Sequence, residues 1–340
     1  MLDIKPMYYN RKLSDSFSRL IEPGGELRWL FDFVKNQEDL DFQIGRNNAQ
    51  EWISVYRGLS RIITIQPRKE KIVIDGANTY KDIAKSKNIN LYGLKNPGNN
   101  FSVDFEAMLT IVRNDKNLEA YYDCRKEGFY QNEFSRKFGI TGNKDSDFVI
   151  IDKEAVIGYS GGTPEKEKEF LPLQISYREL FGAISKNDSK RYGQNLQNKS
   201  LGNELDFLAL DKEGNILLIE YKDGSNTSGI YRSPIQIGLY YDIFKRYPRF
   251  DLENAVNNMF LQKQKIGLID PSWVKPDKIM SIIPWLVISN YKEKSVGKEN
   301  FNEVRNIARE FKNDPQFLSD LRIFNHSISQ GIHILKPLFW

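Results

Sequence analysis

The chain has very little cysteine and histidine, and this narrows the sites that it can build. Its 340 residues include one cysteine, Cys124, and two histidines, His326 and His333. A single cysteine excludes an intrachain disulfide framework and a zinc cluster of the usual kind. We interpret both histidines as structural or surface residues. A metal site elsewhere in the chain must therefore use oxygen ligands, which favours Mg²⁺, Mn²⁺ or Ca²⁺ over zinc.

Long apolar runs are also missing. The longest are Ile216–Ile219 and Ile282–Ile288, and Pro284 interrupts the second one. Neither approaches the roughly 20 residues with which a helix crosses a bilayer. The N-terminal sequence MLDIKPMYYNRK has no apolar run behind its basic residues, so it does not form a signal peptide. We therefore expect a cytoplasmic protein without a membrane partner.

The excess of basic over acidic residues is small as well, since the formal net charge is only +4. That value alone does not identify a nucleic-acid-binding protein. The basic residues are nevertheless unevenly spread, because residues 51–100 contain nine Lys or Arg against four Asp or Glu. A solvated sheet face and a track for phosphate groups both fit this pattern.

The length and one polar segment indicate two domains. The segment GGTPEKEKE at 161–169 combines glycine, proline and alternating charge, which is typical of an exposed linker. We therefore predict an N-terminal domain over 1–165 and a C-terminal domain over 166–340. The first is expected to be a mixed α/β domain with helical patterns at 14–38 and 116–137 and short strands between about 40 and 75.

The order of elements after the linker predicts an α/β fold, with a central sheet flanked by helices. Apolar periodicity and turn residues separate these elements along the chain. The expected helices cover 176–187, 233–247, 252–267 and 302–312, and the expected strands cover 204–210, 216–222 and 280–289, followed by two short C-terminal strands.

A pair of strands brings acidic and basic residues together. If the turn DKEGN closes a hairpin centred on Glu213, Asp206 lies opposite Glu220 and Glu204 lies opposite Lys222. Side chains two residues apart on a strand share a face, and directly opposed Cβ atoms lie roughly 4.5–5.5 Å apart. The flanking runs FLAL and ILLI are nearly continuous apolar segments, which favour a central strand buried on both faces.

Carboxylates placed this close repel each other, and a divalent cation between them removes the repulsion. Mg²⁺ is commonly held by one or two carboxylates together with water and phosphate oxygens. Such a metal polarises a phosphodiester and lowers the pKa of a bound water, while a neighbouring lysine orients that water or stabilises developing negative charge. A surface hairpin with cross-strand salt bridges is the alternative, and the apolar flanks favour a functional site.

These motifs carry a family resemblance. The segment GNELDFLAL, the thirteen residues between Asp206 and Glu220, and the triplet EYK resemble the core of the PD-(D/E)XK nucleases. EYKDG followed by QIGLY is similar to their RecB-like and lambda-exonuclease-like branch, in which a helix bearing Q-x-x-x-Y follows the lysine. The resemblance covers about residues 176–245. The ELD…EYK pattern is also similar to mismatch-directed endonucleases of the NucS type, so the subfamily stays open.

The resemblance implies a restriction-endonuclease-like core and a Mg²⁺-dependent deoxyribonuclease in which Mn²⁺ substitutes for Mg²⁺. It assigns Asp206 and Glu220 as metal ligands and Lys222 as the catalytic lysine. Glu179, on the preceding helix, matches a helix-borne acid that binds metal in many members, and Glu204 is a candidate additional acid. For Glu179, the alternative role is that of a surface ion-pair partner.

Two further residues, Gln236 and Tyr240, match the Q-x-x-x-Y motif and lie on one face of the expected helix. The resemblance implies that they position substrate or brace the site. Tyr240 alternatively packs the helix against the sheet, and Gln236 is alternatively a solvated helix residue. Neither alternative is decided by the sequence.

The expected partner is DNA, which the basic strands at 51–75 and the aromatic residues Trp52 and Tyr56 would contact. Two other functions stay open: a non-catalytic nucleic-acid or protein-binding module on a nuclease scaffold, and a subunit active only in a larger assembly. A homodimer is also compatible with the sequence.

Overall fold

The structure is a computed structural model, and it describes residues 7–47, 50–119, 122, 127–141, 143–159, 168, 170–179, 182, 204–291, 309 and 315–338. The chain forms two compact units. One comprises Asn10–Val149 and Ala255–Val274, and we call it the five-stranded unit. The other comprises Met1–Tyr9, Ile150–Asn254 and Lys275–Trp340, and we call it the six-stranded unit. Both units therefore contain segments from each side of residue 165, where we predicted the domain boundary.

An antiparallel sheet, in which each strand pairs with the next one along the chain, forms the centre of the five-stranded unit. Four of its strands confirm the short strands predicted between about 40 and 75. Numbered along the chain, they are β2 (Asp41–Arg46), β3 (Glu51–Arg57), β4 (Ser60–Arg68), β5 (Lys71–Asp75) and β6 (Gly93–Lys95).

Helices cover this sheet, and one long helix was not predicted. Among the described residues the helices of the N-terminal segment are α1 (Asp15–Ser18), α2 (Arg28–Lys35), α3 (Asn78–Ser86), α4 (Phe101–Asn114), α5 (Lys116–Glu119) and α6 (Glu127–Gly139). Helix α4 begins directly after the polar segment NPGNN at 96–100, which is typical of a loop. Phe101, Phe105, Met108 and Val112 recur at helical spacing and are buried in the core.

A mixed sheet forms the centre of the six-stranded unit. Strand β10 pairs antiparallel with β9 and parallel with β11, and β11 pairs parallel with β12. A small second sheet joins β1 (Met7–Tyr8) to β8 (Gly158–Tyr159). In spatial order the six strands are β13 (Ile332–Pro337), β12 (Arg322–Ser329), β11 (Ile282–Ser289), β10 (Ile216–Asp223), β9 (Leu205–Asp211) and β7 (Phe148–Ala155).

The remaining helices are a helical segment over 170–179, α7 (Thr227–Arg246), α8 (Arg249–Ile266) and α9 (Pro315–Asp320). Residues of α8 from Ala255 onward belong to the five-stranded unit. The predicted α/β class is confirmed, since both sheets are flanked by helices. The later part of the helix predicted at 176–187, and the one predicted at 302–312 apart from residue 309, lie outside the described residues. Among the described residues, none of the helices is both long and apolar enough to cross a membrane.

The register predicted for the β9–β10 hairpin is confirmed. Leu210 pairs with Ile216 and Phe207 with Ile219, which centres the hairpin on Glu213 as expected. The turn is closed by the Asp211 carboxylate, which accepts hydrogen bonds from the backbone N–H groups of Glu213 at 3.0 Å and Asn215 at 2.7 Å. A hairpin turn of this length commonly ends in a left-handed residue, and the next residue, Gly214, has a φ of 90°.

Helix α7 begins six residues before the predicted start, Ser233. The sequence SP at 233–234 resembles a helix start because proline is favoured in the first turn. Instead, the Asn226 side chain caps the helix by accepting from the Gly229 N–H at 3.0 Å. Pro234 then lies inside the helix and cannot bond to the Ile230 carbonyl. The Ser233 hydroxyl donates to that carbonyl at 2.6 Å, so the missing hydrogen bond is replaced.

Gly214→Ala should destabilise the protein more than Gly331→Ala. Both glycines have positive φ, 90° and 75°, so each alanine meets a backbone cost of about 1–2 kcal/mol. Only at Gly214 would the new Cβ also collide with backbone, since it would lie 2.2 Å from the Lys278 carbonyl oxygen. Urea unfolding measures both changes. Equal losses for the two variants would contradict the close approach at the turn.

Candidate active site

The structure brings Asp206, Glu220 and Lys222 together at one end of the hairpin. The Lys222 ammonium lies 2.5 Å from Glu220 Oε1 and 3.6 Å from Asp206 Oδ2. The side chains of Glu220, Lys222 and Asp206 are 2%, 10% and 24% exposed, respectively. We call these three residues the trio. Its inner acid, Glu220, is buried, and its outer acid, Asp206, reaches solvent.

The backbone between the two β10 members of the trio also takes part. The N–H of Tyr221 donates a hydrogen bond to Asp206 Oδ2 at 2.7 Å. The Asp206 carboxylate is therefore oriented by β10, from an amide flanked by Glu220 and Lys222. This contact continues the hairpin beyond its last ladder pair, Phe207 with Ile219, so the predicted hairpin register accounts for the arrangement.

Burial of the Glu220 and Lys222 charges costs free energy, because it removes them from water. Strand β10 is buried along its whole length, and a charge in such a place needs a partner. The ammonium of Lys222 supplies one for the Glu220 carboxylate. With both acids ionised and the lysine protonated, the trio carries one net negative charge, which favours a cation arriving at the more exposed Asp206.

Tyr240 reaches the same region from helix α7. Its hydroxyl donates a hydrogen bond to the backbone carbonyl of Glu204 at 2.7 Å, two residues before Asp206. Burial raises the pKa of Tyr240 well above its usual range, and the charges of Glu220, Asp206 and Glu204 raise it further. The phenol thus stays protonated and joins the helix to the start of β9. Bracing of the site and packing of the helix against the sheet, the two roles considered for Tyr240, both fit this buried contact.

Gln236 and Glu179 are less directly connected to the trio. Gln236 is partly buried one turn before Tyr240 on α7. Glu179 is exposed at the end of the 170–179 helical segment. The same segment contacts α7 through Tyr177, whose hydroxyl donates to Asp242, and residues two apart on a helix point in nearly opposite directions. Metal binding by Glu179 therefore stays a prediction.

The donor set suits a hard cation but is small. Among the described residues, no three His, Cys, Asp or Glu side chains form a group able to hold a metal ion. Mg²⁺ does not need three, because one or two carboxylates suffice when water and phosphate oxygens complete the shell. Asp206 and Glu220 supply two carboxylates that one ammonium already bridges. The residues present therefore fit Mg²⁺ or Mn²⁺ as the trio's cation.

The other face of β10 holds a buried chain of polar groups that sequence reasoning missed. The Tyr221 hydroxyl is hydrogen-bonded to His326 Nδ1 at 2.5 Å, and His326 Nε2 to His333 Nδ1 at 3.1 Å. His326 is buried and His333 is partly exposed. The strand order β10-β11-β12-β13 brings these residues together. No local pattern connects them, so only the strand pairing reveals the contact.

The aromatic residues predicted to contact nucleic acid are engaged within the five-stranded unit. Tyr56 is 4% exposed and its hydroxyl accepts a hydrogen bond from Arg61 Nε at 2.8 Å. The Arg11 guanidinium lies 5.0 Å from the Trp52 ring centroid. The Trp52 ring also packs on Gly45, where a Cβ would lie 2.7 Å from it. The Tyr56 ring is buried and the Trp52 ring packs within its own unit, so nucleic-acid contact by these two residues stays a prediction.

Lys222→Met should destabilise the fold by about 3–5 kcal/mol, because it leaves the Glu220 carboxylate buried without its ammonium. The double variant Glu220→Gln/Lys222→Met should recover most of this loss, since it removes both charges. Urea unfolding of the single and double variants measures the coupling. A double variant that is less stable than Lys222→Met would show that the two charges are not coupled.

Acid should destabilise the folded chain through His326. Burial, and then the charge of His333, lower the pKa of His326 to about 3 from 6.5. Below about pH 6.5, His326 is protonated in the unfolded chain and stays neutral in the folded chain. The free energy of unfolding therefore falls by up to about 1.4 kcal/mol per pH unit. Urea unfolding from pH 7 to 5 should show a shallower fall for His326→Asn than for the wild type. Parallel curves would contradict a buried neutral histidine.

Comparison with known proteins leaves the function to be argued from this geometry. No protein-family model matches the chain, and no curated protein and no solved structure is significantly similar to it. The trio at the end of the β9–β10 hairpin, with Tyr240 bracing it, is the candidate active site.

Proposed function

We propose that the chain is a Mg²⁺-dependent nuclease with a restriction-endonuclease-like core that hydrolyses DNA phosphodiester bonds. The observation that carries this proposal is the trio: two carboxylates and one ammonium in contact at the end of a buried hairpin. Buried charges brought together in this way are a recognised feature of functional sites. The choice of DNA follows the resemblance of EYKDG and QIGLY to the RecB-like branch.

In this mechanism Asp206 and Glu220 would hold the divalent cation. When bound, Mg²⁺ or Mn²⁺ supplies Lewis acidity toward the phosphodiester and lowers the pKa of a coordinated water. The two acids differ in their surroundings, since Glu220 is buried and Asp206 faces solvent. Glu220 would thus be the buried ligand, and Asp206 would be the ligand on the solvent side.

Lys222 holds the charge balance of the site and acts on the reacting groups. Its ammonium contacts both acids, so it lies where an attacking water and a developing negative charge are expected. A protonated amine at that position orients the water and stabilises the charge that develops on phosphate oxygens. A preorganised ammonium costs little rearrangement, because Glu220 already holds it at 2.5 Å.

Tyr240 and Gln236 support these groups from helix α7. The Tyr240 hydroxyl holds the backbone at Glu204, which sets the start of β9 just before Asp206. Gln236 lies one turn earlier and is partly exposed, and in this proposal its amide would position substrate. A shift of about 1 Å in such groups costs about 100-fold in rate.

A non-catalytic nucleic-acid-binding module is the second candidate. The observation that favours it is the closed pairing of Lys222 with both acids together with the missing third metal-binding side chain among the described residues. A subunit that cleaves only within a larger assembly is a variant of the first proposal. Metal-dependent cleavage by the purified chain separates the nuclease from both.

Purified protein should cleave DNA with Mg²⁺ or Mn²⁺ and lose this activity in EDTA. Asp206→Asn should lower the cleavage rate at least about 100-fold, because it removes a ligand charge while the amide oxygen still accepts from the Tyr221 N–H. Linear, circular and single-stranded DNA, with RNA for comparison, should be assayed. Cleavage of the circular DNA shows an endonuclease, whereas cleavage of the linear DNA alone shows an exonuclease.

Matched controls are Asp277→Asn and Lys278→Ala, which change exposed residues of the same unit. Both should cleave like the wild type. Urea unfolding of Asp206→Asn shows whether it keeps the fold. The site assignment is wrong if folded Asp206→Asn cleaves at the wild-type rate.

A further inference from the structure

The sheet of the five-stranded unit opens at one end between two hairpins. Pairing of β2 with β3 continues to Arg46 and Glu51, and pairing of β4 with β5 continues to Arg68 and Lys71. Pairing between β3 and β4 stops earlier, at Ile53 with Ile65. A proline in β4, at position 67, has no N–H to donate across this gap. The two hairpins therefore separate, and a cleft lies between their ends.

The cleft is a polar cavity of about 350 Å³, and residues from both hairpins line it. This volume lies at the lower end of the range of roughly 300–1,000 Å³ that is usual for small-molecule sites. Arg46, Gln50 and Glu51 contribute from the first hairpin, and Gln66 and Arg68 from the second. The size and the polar lining suit one nucleotide-sized polar ligand rather than an apolar one.

The charges of the cleft favour an anion. Its acidic residue, Glu51, is satisfied by Ser14, whose backbone N–H and hydroxyl both donate to the carboxylate at 2.6 Å. Arg46 and Arg68 form no ion pair within the described residues. The paired neighbour of Arg68 on β5 is Lys71, so the end of this hairpin carries a further cation. Guanidinium groups bind phosphate oxygens in a bidentate way.

Two amides complete the lining. Gln66 Nε2 donates to Gln50 Oε1 at 3.2 Å across the opening. This contact leaves the Gln50 amino group as a donor and the Gln66 carbonyl as an acceptor. A donor and an acceptor beside two arginines match a nucleotide, which has a phosphate and a base edge with both kinds of group.

We propose that this cleft binds a phosphate-bearing nucleotide, either free or as one unit of a DNA strand. The choice of DNA as the polymer rests on the proposed function, whereas nucleotide binding in the cleft does not. The site is built from the five-stranded unit alone, so it is a substrate or ligand site in addition to the trio.

The test measures binding of a fluorescent single-stranded oligonucleotide by anisotropy, with Asp206→Asn as the parent so that no cleavage occurs. Adding Arg46→Gln or Arg68→Gln should weaken binding at least about fivefold each. Each change should also lower the slope of log binding constant against log salt concentration by about one, the amount expected for one lost phosphate contact. Lys85→Gln and Lys87→Gln remove equal charge from exposed positions of the same unit and should change binding less than about twofold.

Competition with a nucleoside monophosphate distinguishes the two sources of the ligand. Displacement of the oligonucleotide by the free nucleotide, lost in Arg46→Gln/Arg68→Gln, supports a site for free nucleotides. Arginine-dependent oligonucleotide binding that the monophosphate does not displace supports a site for the polymer. The proposal is overturned if Arg46→Gln/Arg68→Gln binds the oligonucleotide and the monophosphate like its parent. It is also overturned if the lysine controls lose as much affinity as the arginine variants. Metal-dependent cleavage that persists in such a case would leave the proposed function intact.

Discussion

The complete burial of strand β10 is the constraint on which the six-stranded unit depends. Every residue from Ile216 to Asp223 is buried, so each polar group on this strand needs a partner close by. Glu220 meets the ammonium of Lys222, and Asp223 accepts hydrogen bonds from the Ser225 N–H at 2.9 Å and the Ser289 hydroxyl at 3.1 Å. A buried strand that carries charges can be stable only when each charge has a hydrogen-bonded or oppositely charged partner in a fixed position. Fixed positions of charged groups are also what a catalytic site requires.

Tyr221 couples the two faces of that strand. Its backbone N–H holds Asp206 on the side of the trio, while its side chain points to the opposite face and meets His326. His326 belongs to β12, two strands away, and continues to His333 on the outermost strand. The position of the Asp206 carboxylate therefore depends on the packing of four strands, since the amide that orients it belongs to a residue anchored on the other face.

Features of this fold that depend on contacts between residues close in sequence could be predicted, and features that depend on contacts between distant residues could not. The hairpin was predictable because the turn DKEGN lies between two apolar runs, and a local turn sets the register of both strands. Helix α7 was placed too late, since Ser233 and Pro234 mark a helix start unless the serine hydroxyl substitutes for a lost backbone bond. The contact between Tyr221 and His326 could not be predicted, because it depends on pairing between strands that are distant in the sequence. The cleft between the hairpins could not be predicted either, because it depends on where the pairing of β3 with β4 stops.

The two acids of the trio differ in exposure, and this difference bears on how the proposed cation site would work. Lys222 is held more closely by Glu220, at 2.5 Å, than by Asp206, at 3.6 Å. Asp206 is therefore the acid that the ammonium holds less closely, and it is also the more exposed of the two. In the proposed nuclease, a divalent cation arriving from solvent would meet Asp206 first, and Lys222 would keep its contact with the buried Glu220. The Lys222 contact thus gives the buried Glu220 carboxylate a partner within the folded chain, and Asp206 stays the carboxylate that solvent reaches.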